Sequence, residues 1–298
     1  SGQADGSERT ALVASNFNQG TGTARNVGTF EKDQFTALKS TVHVGTGTSE
    51  ALHQVLLIHD QQHTLLDESN QLGLEFFRSL FDSQFINIEE HQIINYSSYY
   101  DGPYDLIILY KITDFTSPFF QNLIPTISNA KKVLIFNHPK FSNILNSIPK
   151  FDHITLHPSI IEDSNNSLID SNVQLIVEYQ DSFDQPLIGI FPYSGYISSS
   201  QDGHSIFSST TSYIVKNNIL INGPFTLMYS DPNYHYTIIN NYLLPTNYWI
   251  HQGDNYNILE NTISKLLGNN INIKSKHKNN QTIIFSKSNF IKFFIFLI

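Results

Sequence analysis

The stretch YDLIILYKITD, Tyr104–Asp114, decides the class of fold, and KKVLIFNHP, Lys131–Pro139, repeats its pattern after one intervening segment. Each contains a short, continuous apolar run that ends in polar residues, which is typical of a strand in a buried parallel sheet. QVLLIHD, Gln54–Asp60, has the same form. Because helical patterns lie between these runs, the alternation predicts βαβ units and a mostly parallel sheet.

Helical patterns separate the predicted strands. Apolar residues across Leu65–Phe81 are spaced mostly as one helical stripe. Ser117 followed by Pro118 predicts the start of a second helix. A last helix is predicted at Asn255–Gly268, with Asp254 as its N-cap. The later half is otherwise richer in strands, so the predicted fold class is α/β, a Rossmann-like sheet with a strand-rich second half.

Composition divides the chain into three segments. Residues 1–50 contain no isoleucine and are rich in Gly, Thr, Ala and Ser, which predicts an extended, irregular arm. Residues 51–270 form the predicted Rossmann-like domain. Residues 271–298 are basic and then apolar, ending in FIKFFIFLI. Since a membrane-spanning helix needs about 20 apolar residues, we interpret this tail as a final buried strand or as a membrane segment cut short.

Charge and composition exclude several classes of function. The formal net charge is −9 and no basic stripe crosses the body, which argues against nucleic acid as a partner. The chain has no cysteine, so disulfides, Cys-ligated zinc, iron–sulfur clusters and a thiolate nucleophile are excluded. PYSGY, around Ser194, lacks the first glycine of a nucleophile elbow. The sequence therefore predicts no complete catalytic motif, no cofactor and no bound metal ion.

Polar residues follow several of the predicted strands. His59 and Asp60 end the first, Asp114 follows the second, and His138 follows the third. If the strands are parallel neighbours, these side chains share the rim where ligands bind in open α/β sheets. They are the candidates for a pocket, which a hydrolase or a metal-dependent enzyme could use. The other interpretation is ordinary polarity of the connecting loops.

The segment Met228–His251 is rich in tyrosine and contains the only tryptophan of the chain. Aromatic surfaces of this kind bind sugars or partner proteins. The alternative is a loop that packs over the edge of the sheet. The candidate surface residues are Tyr229, Tyr234, Tyr236, Tyr248 and Trp249.

The order of these segments resembles one family. VLLIHD, LGLEFFRSLFDSQ, YDLIILY and KKVLIFNHP, followed by NILINGPFTLMYSDPNY and GDNYNILENTISKLLG, are similar to the Rossmann-like domain of the non-catalytic oligosaccharyltransferase subunit. That domain is shared with an intraflagellar-transport protein and a bacterial gliding-transport protein, and it is distantly similar to class I glutamine amidotransferases. The resemblance spans residues 54–269, although SNAKK lacks the glycines that the family has before its fourth strand.

The resemblance implies a scaffold or binding module, because without cysteine the amidotransferase nucleophile is missing. We therefore expect a non-catalytic subunit of a larger complex, with other protein subunits as partners. The family implies a glycosylation-related complex in the endoplasmic reticulum membrane or lumen, with membrane association through the tail. Lysines before that tail favour a cytoplasmic body instead. Two alternatives stay open: an enzyme at the rim, and a structural protein whose residues 1–50 exchange between subunits.

Overall fold

The computed structural model describes residues 53–81, 86–95, 104–168, 172–179 and 186–268. The chain divides into two compact units, one of residues 1–53 with 85–87 and one of residues 54–84 with 88–298. Every contact discussed below lies within the second unit. The predicted arm, residues 1–50, and the predicted tail, residues 271–298, lie outside the described residues, so both stay predictions.

Four parallel strands form the centre of the sheet: β1 (His53–His59), β3 (Leu106–Tyr110), β4 (Val133–Phe136) and β13 (Tyr236–Ile239). β1 pairs with β3, β3 with β4, and β4 with β13. Every residue of β3, β4 and β13 is buried. Continuous apolar runs form these strands because both faces of a central parallel strand are covered.

The remaining strands extend the sheet on both sides. The described strands of this sheet number nine, in the order β2-β1-β3-β4-β13-β12-β8-β5, with β9 also paired to β12. Pairing is antiparallel between β13 and β12, between β12 and both β8 and β9, and between β8 and β5. This architecture confirms the predicted fold class. The added strands are β2 (Ile86–Gln92), β5 (Ile154–His157), β8 (Tyr196–Ser199), β9 (His204–Phe207) and β12 (Thr226–Ser230).

Two antiparallel pairs stand apart from the main sheet. One joins β6 (Gln174–Tyr179) to β7 (Leu187–Pro192). The other is a hairpin of β10 (Tyr213–Lys216) and β11 (Ile219–Asn222). Short 3-10 turns occur at residues 93–95, 144–147 and 149–151.

Three α-helices cover the sheet in the described part of the chain: α1 (Glu75–Phe81), α2 (Pro118–Asn129) and α3 (Asn255–Leu267). α2 begins as predicted, because the hydroxyl of Ser117 accepts from the N–H of Phe120. The helix predicted to start at Leu65 begins only at Glu75. No helix in the described ranges is both long and apolar enough to cross a membrane.

Asparagine side chains join the parallel and antiparallel parts of the sheet. Nδ2 of Asn137, just after β4, donates to Oδ1 of Asn240, just after β13, over 2.8 Å. Nδ2 of Asn240 in turn donates to the carbonyls of His157 and Tyr196, each over 3.0 Å. These buried amides satisfy backbone groups where the strand directions change. Part of the high asparagine content therefore has a structural use.

Helix α3 buries a carboxylate. Glu260 is only 8 % exposed, and burial raises its pKa from 4.5 to about 7. Within the described residues its Oε1 has no hydrogen-bond partner. Folding therefore favours the protonated form of this side chain.

We expect Glu260→Gln to remove a pH dependence of stability. In the wild type, the contribution of the protonated carboxyl is complete below pH 4.5 and is lost as the pH rises through about 7. The variant should therefore be more stable than the wild type by about 2 kcal/mol at pH 8, and nearly equal to it at low pH. Urea unfolding at pH 5 and pH 8 measures the two stability differences. Glu178→Gln, at an exposed position of β6, is the control. A stability difference between the variant and the wild type that is the same at both pH values would contradict the raised pKa of Glu260.

Candidate functional site

The strand order reverses at β1, which has β2 on one side and β3 on the other. In open α/β sheets, ligands bind in the crevice outside the carboxyl ends of the strands at such a reversal. Here the crevice lies between the loop that follows β1 and the loop that follows β3. Of the four rim residues predicted from the sequence, Asp60 and Asp114 lie in these loops and His59 is the last residue of β1.

Asp60 bridges the two loops. Its Oδ2 accepts from the backbone N–H of Thr113 over 2.7 Å and from the hydroxyl of the same residue. Its Oδ1 accepts from Nε2 of Gln61 over 2.5 Å. Both carboxylate oxygens are thus engaged by the protein itself. These bonds tie the loop after β1 to the loop after β3.

His59 forms a buried pair with Glu90 of β2. Its side chain is fully buried, and Nε2 lies 2.9 Å from Oε1 of Glu90, although it is not aligned as a hydrogen bond. Nδ1 accepts from the N–H of Gln61, which places the proton of the neutral ring on Nε2. Glu90 also accepts from the N–H groups of Leu65 and Leu66. This anchoring holds both leucines in a loop instead of the predicted helix.

His138, Lys111 and Tyr242 form a cluster at the next part of the rim. The His138 ring stacks on Tyr242 with centroids 4.6 Å apart and planes 10° apart. Nζ of Lys111 lies 5.0 Å from the centre of the Tyr242 ring. Burial lowers the pKa of His138, and the charges of Lys111 and Lys140 lower it further, so the imidazole is neutral at pH 7. Its Nδ1 accepts from the N–H of Lys140.

Lys111 and Tyr242 are rim residues that the sequence analysis missed. Lys111 directly follows β3 and has a φ of 50°, in the left-handed region that disfavours a side chain. Its N–H donates to the carbonyl of Phe136, which holds this conformation. The sequence shows that a lysine follows the apolar run of β3, but it does not show the backbone angle of that lysine. Tyr242 comes from the loop after β13, far away in sequence.

Asp114 serves a different purpose. It is exposed, and its Oδ1 accepts from the N–H groups of Thr116 and Ser117 over 3.2 and 3.1 Å. These bonds form the turn that introduces α2. The structure therefore brings His59, Asp60 and His138 to one rim, while Asp114 shapes a helix start. Within the described ranges no group of three or more His, Asp or Glu side chains could hold a metal ion.

The five aromatic candidates do not share one exposed surface. Tyr229, Tyr236 and Trp249 are buried. Tyr234 is half-buried, and Tyr248 is exposed. The buried hydroxyls have partners, since the oxygen of Tyr236 lies 2.6 Å from Nε2 of His153. The rings of Tyr229 and Tyr236 are thus accommodated in the interior as apolar bodies with a satisfied polar end.

Comparisons with known proteins find similarity in fold. No protein-family model and no curated protein sequence matches the chain. The structure is similar to the mmIFT52 N-terminal domain, with a TM-score of 0.54 and 10 % identity over 73 % of this chain and 99 % of that one. This similarity confirms the predicted resemblance, at the level of the fold, to the Rossmann-like domain of the intraflagellar-transport protein.

Two further solved structures are similar at lower scores. A putative ThuA-like protein from Bacteroides uniformis has a TM-score of 0.42 and 13 % identity, over 76 % of this chain and 92 % of that one. A glutamine amidotransferase from Thermotoga maritima has a TM-score of 0.40 and 10 % identity, over 73 % of this chain and 97 % of that one.

Proposed function

We propose that this protein is a non-catalytic binding subunit of a larger protein complex. The observation that carries the proposal is the engagement of Asp60, whose carboxylate binds Thr113 across the strand reversal. The fold shared with the mmIFT52 N-terminal domain supports it. If the protein were an enzyme with its site at the rim, substrate would have to reach the side chains of His59 and His138. The ring of His59 is fully buried, however, and that of His138 is stacked on Tyr242.

A partner surface is available on the β10–β11 hairpin. Its exposed side chains include four large aliphatic residues, of which Ile219 is the most exposed at 65 %. The hairpin turn is well formed, because Asn217 and Asn218 have φ values of 51° and 61°, as a two-residue turn of this kind requires. In the described part of the chain, β11 is hydrogen-bonded on one side only, to β10. The four residues are Val215, Ile219, Leu220 and Ile221.

This surface fits an extended, apolar strand from another protein. An open strand edge supplies backbone donors and acceptors to an added strand, and side chains on alternate positions supply specificity. Val215 pairs with Leu220 across the hairpin, so both side chains lie on one face. An exposed apolar face beside an open edge is a liability unless a partner covers it.

We expect the double variant Val215→Lys with Leu220→Lys to release the protein from its complex. Two buried contacts at an interface are lost and two charges are placed there, so affinity should fall at least tenfold, or about 1.4 kcal/mol. The mass of the tagged complex, purified from the native source under mild detergent, measures this. Phe207→Lys replaces a similarly exposed apolar residue outside the hairpin and is the matched control.

A variant that keeps the complex mass would contradict the hairpin as the partner surface. A wild-type chain that is isolated alone would contradict the subunit proposal itself. The narrower proposal, a glycosylation-related complex at the endoplasmic reticulum membrane, rests on the sequence resemblance alone. The same purification tests it, since such a complex would contain membrane-anchored subunits.

A further inference from the structure

The charge of the β10–β11 hairpin differs from that of the chain as a whole. The chain has a formal net charge of −9, but the hairpin, residues 213–222, contains one lysine and no acidic residue. That lysine, Lys216, is the last residue of β10, next to the turn, and its side chain is exposed. Within the described part of the chain, its ammonium group makes neither an ion pair nor a hydrogen bond. The tip of the hairpin therefore presents an unpaired positive charge.

The other end of the hairpin lies beside a negative charge. Glu162 forms a β-bridge with Tyr213, the first residue of β10, and its Oε2 accepts from the Tyr213 hydroxyl over 3.1 Å. β10 is therefore paired on both sides at this end, whereas β11 pairs with β10 alone in the described ranges. Because Tyr213 and Lys216 are the two ends of β10, a strand added to β11 has a negative charge near one end and a positive charge near the other.

His157, at the end of β5, lies near the tip of the hairpin. Burial lowers the pKa of His157, and the charge of Lys216 lowers it further. Its Nε2 lies 2.8 Å from Oγ of Ser198, and its ring stacks on Tyr196 with centroids 4.0 Å apart. The imidazole is therefore neutral at pH 7 and held by neighbours in its own sheet. The positive charge that a partner meets at this position is that of Lys216.

We propose that the hairpin binds an extended segment that carries a carboxylate at the end lying beside Lys216. This inference rests on the proposed partner surface and names the chemistry of the partner. Antiparallel pairing is the more stable arrangement, and β11 runs away from the turn, so an antiparallel partner strand ends at the tip. An acidic residue at the C-terminal end of that strand faces Lys216, while apolar residues at alternate positions extend the face of Val215 and Leu220.

A second copy of this chain does not supply the same chemistry. Pairing of β11 with β11 of another copy joins two hairpins that contain no acidic residue. Both copies of Lys216 would then stay without a carboxylate partner. Charge complementarity at the tip therefore favours an acidic segment of a different protein.

Fluorescence anisotropy of labelled, C-terminally amidated peptides tests the proposal on the full chain. The probe peptide alternates valine and threonine and ends in glutamate. One control peptide ends in glutamine, and the other carries its glutamate at the N-terminal end. We expect the probe to bind about threefold more tightly than either control, which is the size of effect expected of an exposed ion pair. Salt at about 0.5 M should remove the difference, because it screens exposed charges.

Variants of Lys216 test whether this residue is the group that recognises the carboxylate. Lys216→Gln should weaken binding of the glutamate peptide about threefold and leave the glutamine peptide unchanged, as a double-mutant cycle requires of a direct contact. Lys216→Glu should reverse the preference, toward a peptide that ends in lysine. Lys140→Gln removes an exposed lysine outside the hairpin and should change neither affinity. Thermal unfolding reports whether each variant is folded.

The outcomes separate the acidic partner from the partner surface itself. Equal affinities for the glutamate and glutamine peptides would overturn the acidic partner. The hairpin would remain the surface if Val215→Ser with Leu220→Ser weakened binding of both peptides, and binding that survived this double variant would contradict the hairpin as well. A dimer of the chain alone, seen by sedimentation and lost in the double variant, would overturn the inference in favour of a second copy. The mass of the native complex judges the subunit proposal separately.

Discussion

Asp231→Ala is expected to lower the free energy of unfolding by about 4 kcal/mol, because it removes an ionised acceptor that several donors share. Asp231 is only 7 % exposed, and it lies in the turn between β12 and β13. Its Oδ1 accepts from the N–H groups of His235 and Tyr236, and its Oδ2 lies 3.0 Å from Nδ1 of His235. Without the carboxylate these donors remain unpaired at the start of a central strand.

The same turn fixes Tyr234 in its left-handed conformation, so the variant should also lose the stacking of Tyr234 on His204. Guanidinium chloride unfolding measures the stability, and a shift of the midpoint at constant slope identifies a loss of native contacts. Asp231→Asn keeps one acceptor oxygen and should cost roughly half as much. Asp202→Ala, at an exposed position of the loop between β8 and β9, should change stability by less than about 0.5 kcal/mol. Equal effects of Asp231→Ala and Asp202→Ala would contradict the role of the buried carboxylate.

The central strands could be read from the sequence because their pattern is local. YDLIILY and KKVLIFN are continuous apolar runs, and they form β3 and β4. The strand beside β4 could not be read in the same way. β13 is only four residues long and comes from the tyrosine-rich segment, and its place beside β4 depends on pairing with residues more than a hundred positions earlier. Pairing at that separation has no local signature in sequence periodicity.

The site was predicted only in part, because the sequence does not show which polar residues are buried. The sequence placed Tyr229 and Tyr236 on a surface because tyrosine is common at interfaces. In the structure Tyr229 donates its hydroxyl to the carbonyls of Gln201 and Asp202, which lets the ring enter the core. Asp60 is also where the pattern placed it, but its partner Thr113 is not marked by any spacing in the sequence. Strand ends are predictable from sequence, whereas the hydrogen bonds across them are not.

Variants of the pair of His59 and Glu90 test whether the rim has a structural or a catalytic role. We expect Glu90→Ala to lower the free energy of unfolding by about 3 kcal/mol, because the buried ring of His59 loses the carboxylate beside its Nε2. The N–H groups of Leu65 and Leu66 would lose their acceptor as well. Urea unfolding measures the loss of stability, and Glu178→Ala, at an exposed position of β6, is the matched control.

Glu90→Gln makes the comparison sharper, because its amide oxygen can still accept from one of the two leucine N–H groups while the negative charge beside His59 is lost. A structural pair predicts an intermediate loss of stability for this variant, between the wild type and Glu90→Ala. A catalytic pair behaves differently, since charged groups held ready for chemistry are often destabilising, and their removal then raises stability. A Glu90→Gln protein more stable than the wild type would therefore favour the hydrolase alternative and count against a structural role for the rim residues. The outcome depends on whether the carboxylate lowers the free energy of the folded state, which unfolding measurements report directly without knowledge of any substrate.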